Sequence, residues 1–201
     1  MRGRRAGAAA LLAAGLAAAG AVVADAQAPA RGGDWLDRPL SVWNWPGVPP
    51  PRAPEGREDG ENRESCEAVI RLPTSDVDRA LTDAGWFLFG SVQGWGDAVV
   101  LMANAAWDGM CRPWRYQFFV FVGGRFAGTL SPVLMDARTD GAGQRVALAS
   151  ESELTADFLR YGDTDPLCCP TRITEARFQI VRGGEGPVVV PLGAATRPVA
   201  R

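Results

Sequence analysis

Four cysteines, Cys66, Cys111, Cys168 and Cys169, are the side chains of this 201-residue chain best suited to covalent chemistry. The residue types missing around them narrow that chemistry. There is no His, and all 21 basic residues are Arg, so no Lys is present. Imidazole general-base catalysis, His-ligated zinc, Schiff-base formation and a P-loop lysine are therefore excluded together. An even number of cysteines, in a chain whose N-terminus reads as an export signal, suits a disulfide framework. Three pairings are possible. Joining Cys168 to Cys169 requires an eight-membered ring, whereas neighbours on extended backbone point to opposite faces and so find different partners. The expected pairing links Cys66 and Cys111 each to one member of the adjacent pair, in either order. Each such long loop would contribute on the order of 4 kcal/mol. A thioredoxin-like site needs two residues between its cysteines, and Pro170 biases Cys169 away from helix, so crosslinks are expected rather than redox or metal chemistry.

Other constellations are weaker. Asp136, Asp140 and Gly141, like Gly162, Asp163 and Asp165, offer hard oxygen ligands but lack the alternating spacing of a calcium loop, and Asp and Gly are ordinary turn formers. Gly90-Ser91-Val92-Gln93-Gly94 has the wrong spacing for a nucleophile elbow, and no His could activate its serine. Glu64 with Glu67, or Glu151 with Glu153, could form a carboxylate pair for glycoside hydrolysis, though such spacings are common by chance. No catalytic, cofactor-binding or metal residue is assigned. Tryptophan remains as a composition signal. Trp95, between two glycines, and Trp107, beside Asp108-Gly109, are expected in loops where an aromatic face could stack on a sugar or a peptide. Trp86 and Trp114 complete the set in the domain, and Arg112, Trp114 and Arg115 could form a cation-π cluster.

The elements that must carry these residues are mostly strands. Ser75 to Ala84 is the clearest helix: Ser75 with Asp78 forms a capping-box pattern, Val77, Ala80, Leu81 and Ala84 keep helical spacing, and Gly85 stops it. Trp86 to Gln93 and Asp97 to Asn104 read as strands joined by Gly94-Trp95-Gly96. Tyr116 to Val122 and Arg125 to Leu130 form a hairpin about Gly123-Gly124. Arg145 to Ala149, Leu154 to Tyr161, Ile173 to Val181 and Val188 to Val190 follow, the second assigned as strand from the alternation of Leu154, Ala156 and Phe158. The expected fold is α+β: mainly antiparallel sheet with one helix packed on a face, stapled by disulfides.

At the N-terminus, Arg2, Arg4 and Arg5 precede an uncharged stretch from Ala6 to Ala24, and Ala26-Gln27-Ala28 supplies a small-x-small cleavage site. Residues 1–28 are thus expected to be a cleaved signal peptide. Residues 29–65 read as a Pro- and Trp-rich extended leader, 66–192 as the β-rich domain and 193–201 as a C-terminal tail. Removing residues 1–28 takes away three Arg and one Asp, leaving 18 basic and 22 acidic residues and a formal charge of -4. That mild acidity argues against nucleic acid or an anionic membrane as partner.

From Phe118-Phe119-Val120-Phe121-Val122-Gly123-Gly124-Arg125-Phe126-Ala127-Gly128-Thr129, through Tyr161, to Asp165-Pro166-Leu167-Cys168-Cys169-Pro170-Thr171 and Arg177-Phe178, the chain resembles the LppP/LprE lipoprotein-like family of bacterial envelope proteins. The resemblance spans about residues 66–182 and is most specific at Cys168-Cys169-Pro170, with Thr171 where the pattern has Ser. It implies an exported, extracytoplasmic domain with no established activity. The lipid-attachment cysteine implied by the family's name is missing near the expected cleavage site, so no stable membrane anchor is expected after processing. The expectation is a secreted or periplasmic, non-catalytic binding or structural module of the cell envelope, without cofactor, with an envelope glycan or protein as partner. The alternative is a His-free carboxylate-dependent hydrolase acting on envelope glycans.

Overall fold

A computed structural model describes residues 32–54 and 62–199. The expected signal peptide and part of the charged run after Pro54 lie outside the described residues. Eight strands form two four-stranded antiparallel sheets, each in simple sequential order. The first contains β1 (Phe87–Trp95), β2 (Ala98–Trp107), β3 (Pro113–Val122) and β4 (Arg125–Thr129). The second contains β5 (Gly143–Leu148), β6 (Glu153–Arg160), β7 (Arg172–Gly183) and β8 (Gly186–Pro198). Sheet dominates, with a short helix α1 (Asn62–Ser65) and a longer one α2 (Asp76–Asp83) before β1. The balance is thus more β than the expected α+β class.

The sheets face each other across one core. Val100, Phe118 and Val120 of the first sheet share a buried cluster with Val146, Phe158, Phe178 and Val189 of the second. Opposite faces of a strand alternate, so Phe119 and Phe121 point the other way, into a second cluster with Leu81 of α2, Trp86, Leu88 and Leu101. This two-sided burial explains why Phe118 to Val122 is an unbroken apolar run although its sheet is antiparallel. Gln93 ties the sheet edges together: its Nε2 donates to the Val146 carbonyl at 2.5 Å and its Oε1 accepts from the Leu148 amide at 3.3 Å.

Helix α2 starts where the sequence places it. The Ser75 side chain accepts from the Asp78 amide, and the Asp78 carboxylate accepts from the Ser75 amide, completing the capping box. Asp78 is buried, and Arg71 donates to both its oxygens at 2.9 and 2.7 Å. The Arg71 guanidinium, helped by the Thr74 amide and Ser75 against the opposing effect of burial, holds the Asp78 carboxyl well below the usual carboxylate range. Asp78→Asn should destabilise the fold by about 3 kcal/mol, because it leaves a largely enclosed guanidinium without its counter-charge. Since the folded pKa is depressed, the ion pair's contribution is complete above the unfolded carboxylate value of about 4 and fades as pH falls below it. Urea denaturation at pH 7 and pH 3 should show the variant's deficit shrinking at the lower pH.

The leader packs against the sheets. After a 3₁₀ turn at Asp34–Asp37, Trp35 meets Phe158 edge-on at 5.0 Å and Trp43 at 5.4 Å, while Trp43 meets Phe178 at 6.1 Å. Asn44 is buried and bridges both sheets: its Nδ2 donates to the carbonyls of Thr129 and Val189 at 3.0 Å each, and its Oδ1 accepts from the Thr129 amide at 2.9 Å. Farther on, Pro51 accepts from Trp86 Nε1 at 2.8 Å, and the Ala53 amide donates to the Ala84 carbonyl.

Two local expectations are corrected. Gly94 and Trp95 belong to β1, so the β1–β2 turn lies at Gly96-Asp97, where Gly96 takes a left-handed φ of 58°. The C-terminal stretch expected as a tail after residue 192 is strand: β8 continues to Pro198 and pairs with β7 along its length, Thr174 with Thr196 and Arg172 with Pro198. Pro191 and Gly193 lie within this strand. A register shift between Arg177 and Phe178 absorbs them on an edge, where a missing amide donor is tolerated.

Candidate functional site

The cysteines pair differently from expectation. Cys66 bonds to Cys111 and Cys168 to its neighbour Cys169, leaving no free thiol. The reason is placement. Cys66 follows α1, beside the β2–β3 loop that carries Cys111. That loop is organised by Asp108, whose Oδ1 accepts from the amides of Met110 and Arg112 at 2.9 Å each. Cys168 and Cys169 lie in the β6–β7 connection. The adjacent cysteines are not in a strand, so the rule of opposite faces does not apply to them.

The β6–β7 connection is held by its own polar contacts. Asp165 Oδ2 accepts from the Gly162 amide at 2.8 Å, the Thr171 amide at 2.9 Å and the Thr171 hydroxyl at 2.8 Å, pinching the two ends of the loop together. The Gly162 amide first, then Thr171, hold the Asp165 carboxyl below the usual carboxylate range. The Tyr161 hydroxyl donates to the Leu167 carbonyl at 3.1 Å, the Cys169 amide to the Pro166 carbonyl and the Val199 amide to the Thr171 carbonyl. None of these contacts uses a sulfur atom.

Beneath this loop lies a cleft of about 730 Å³ lined by Gln144, Leu159, Cys168, Cys169, Pro170, Thr171, Ile173, Pro198 and Val199. Leu159 and Ile173 are cross-strand partners and so share one face of the second sheet. Theirs is the face away from Phe158, which alternation turns into the core. No lining side chain is ionised, and the Thr171 hydroxyl is already engaged by Asp165. The arrangement suits a ligand with an apolar body and few polar groups. Leu159 and Ile173 carried a faint signal in the sequence, as large aliphatics alternating with Asp157 and Glu175 on the outward face. Pro198 and Val199 carried none, because the end of β8 read as tail.

The two tryptophans singled out as ligand contacts separate. Trp95 is 53% exposed at the end of β1, beside the Gly96-Asp97 turn. Arg182 near the far end of β7 pairs with Asp97 at 2.8 Å, so the length of β7 lies between Trp95 and the cleft. Trp107 is not a loop contact: it ends β2, is 2% exposed and meets Phe89 edge-on at 5.7 Å. Its neighbours Asp108-Gly109 do form the loop, but Trp107 pairs with Pro113 and its ring turns inward.

The acidic candidates are dispersed or already engaged. Glu64 and Glu67 are exposed around Cys66, and Glu151 and Glu153 are exposed at the β5–β6 turn. Asp136 Oδ1 accepts from the Arg115 amide at 2.7 Å, and Asp140 Oδ1 accepts from Arg160 Nε at 3.0 Å and from the Tyr161 amide at 2.7 Å. Among the described residues, no group of three or more candidate ligands is placed to hold a metal ion. Arg112, Trp114 and Arg115 form no cation-π contact among the described residues; the one present sets Arg63 over Phe87.

Residues 96–183 match the model of the LppP/LprE lipoprotein family. The match starts at the β1–β2 turn and ends with β7, so α2, β1 and β8 lie outside it. Neither a curated protein nor a solved structure matches the chain significantly.

Proposed function

From the LppP/LprE lipoprotein match over residues 96–183, which associates the chain with exported envelope proteins, we propose that it is a non-catalytic binding module of the cell envelope, released after signal cleavage near Ala28. Its ligand enters the cleft beneath Cys168-Cys169-Pro170. The observation that carries this reading is the cleft itself: about 730 Å³, floored by Leu159 and Ile173, with no ionised lining side chain. That volume falls within the range of small-molecule sites. A neutral molecule with an apolar body, such as an acyl chain of an envelope lipid, fits this lining better than a charged or heavily hydroxylated one, whose polar groups would lose water without finding partners. The lack of His and Lys and the structural use of the carboxylates favour binding over hydrolysis.

The neutral dye N-phenyl-1-naphthylamine, which fluoresces in apolar surroundings, tests this reading with the mature protein. Val199 is at the rim and 37% exposed, so Val199→Glu can place a charge at the mouth without disturbing the core. This variant should weaken dye binding about tenfold, equivalent to ~1.4 kcal/mol. Leu192→Glu, at an exposed site farther back on β8, should leave it unchanged. Absence of dye binding by the wild type, or equal binding by all three proteins, would sink the reading.

A further inference from the structure

We propose that Cys168–Cys169 is a redox site that exchanges two electrons with a dithiol in the envelope and thereby changes the wall of the cleft. The redox step stands on the loop alone; its effect on the cleft rests on the binding reading above.

The argument begins with what this disulfide does not do. A crosslink stabilises chiefly by closing a loop in the unfolded chain, and the effect grows with the number of residues enclosed. Cys66–Cys111 has a sequence separation of 45, but Cys168–Cys169 has a separation of 1. The second bond therefore restricts almost nothing that the peptide bond between its residues does not already restrict. The Asp165 clamp and the Tyr161–Leu167 contact hold the loop independently. Stability gives this bond no purpose.

Accessibility separates the two disulfides in the same sense. Both Cys168 and Cys169 are exposed, whereas Cys66 is 1% exposed and Cys111 half-buried, so only one sulfur of that bond is within reach of solvent. Thiol–disulfide exchange requires a thiolate to reach a sulfur, and exposed disulfides are the labile or regulatory ones. A partner thiolate attacks one sulfur of the pair, forming a mixed disulfide and releasing the other cysteine as a thiolate, which takes up a proton. The partner's second thiol, losing its proton, then attacks the mixed disulfide and frees the remaining cysteine. The pair gains two electrons and two protons, and the partner dithiol becomes a disulfide. Because the clamp persists, the two thiols stay adjacent and can be reoxidised without refolding.

Both cysteines line the cleft, so the exchange alters residues of its wall. Oxidised, the two side chains are joined and carry no donor; reduced, they are two independently rotating thiols with weak polar character.

The test uses mature, fully oxidised protein. Under native conditions it is treated with graded dithiothreitol, trapped with N-ethylmaleimide and mapped by peptide mass. Cys168 and Cys169 should be alkylated at least tenfold faster than Cys66 and Cys111, and should regain their bond in oxidised glutathione with an unchanged thermal transition. Equal rates, or alkylation of Cys168 and Cys169 only in denaturant, would overturn the redox assignment. In parallel, N-phenyl-1-naphthylamine titration of the selectively reduced protein should give an affinity at least threefold different from the oxidised form. Selective reduction with unchanged dye affinity would overturn the link to the cleft. Failure of the oxidised protein to bind dye would instead count against the binding reading, leaving the mass result to judge the exchange. Cys168→Ser with Cys169→Ser should keep the wild-type thermal transition and lose all response of dye binding to reductant.

Discussion

Replacing Trp35 and Trp43 together with Ala should lower unfolding stability by about 5 kcal/mol, the largest effect expected outside the two cores. Fully buried Trp→Ala changes cost about 3–5 kcal/mol each, and these half-buried rings should each lose somewhat less. They are in contact at 5.4 Å, so the double variant will not equal the sum of the single ones. Their loss removes the edge-on partners of Phe158 and Phe178 and loosens the segment that carries Asp37 to Arg160. The Arg160 side chain is only 4% exposed, and freeing the leader would leave it with Asp140 as its remaining carboxylate partner. Urea denaturation followed by circular dichroism checks the magnitude. A loss below about 1 kcal/mol would mean that the leader does not hold the sheets in solution.

The second large effect separates the two disulfides. Cys66→Ser with Cys111→Ser should cost about 4 kcal/mol, because a loop of this length regains considerable chain entropy when it is opened. The corresponding double serine variant at Cys168 and Cys169 should differ from wild type by less than about 1 kcal/mol. Thermal and urea unfolding of both variants, with the wild type in the presence and absence of reductant, gives the comparison. A large cost at Cys168 and Cys169 would show that this bond is structural after all, in conflict with its proposed role in exchange.

Much of the fold was legible in the sequence because its signals are local. The capping box Ser75-Asp78 and the stop at Gly85 are backbone hydrogen-bond chemistry within one turn, and they mark helix α2 within a residue at each end. The Gly123-Gly124 hairpin likewise follows from its positive φ angles. The alternation of Leu154, Ala156 and Phe158 placed β6 correctly, because period-two burial survives wherever one face meets a core.

The site was legible only in part. Cys168-Cys169-Pro170 stood out as a motif, but its bonding did not, since pairing depends on which loops the sheets bring together. Trp107 was misplaced for a related reason: sequence context put a loop beside it, and only the packing of β2 on β1 decided that its ring turns toward Phe89. The two-sheet arrangement had no local signature, because an antiparallel hairpin reads alike whether its partner strands make one sheet or two.

For this chain, residue types and spacings were enough to place a helix and a series of antiparallel strands, and to exclude chemistry that needs His or Lys. Each of those properties belongs to a residue or to near neighbours in the chain. Tertiary structure alone decided that Cys66 meets Cys111, that the tryptophan leader crosses both sheets, and that the end of β8 helps Leu159 and Ile173 to enclose a cleft under Cys168-Cys169. Those outcomes depend on contacts between residues tens of positions apart, whose energies arise only once the sheets have packed.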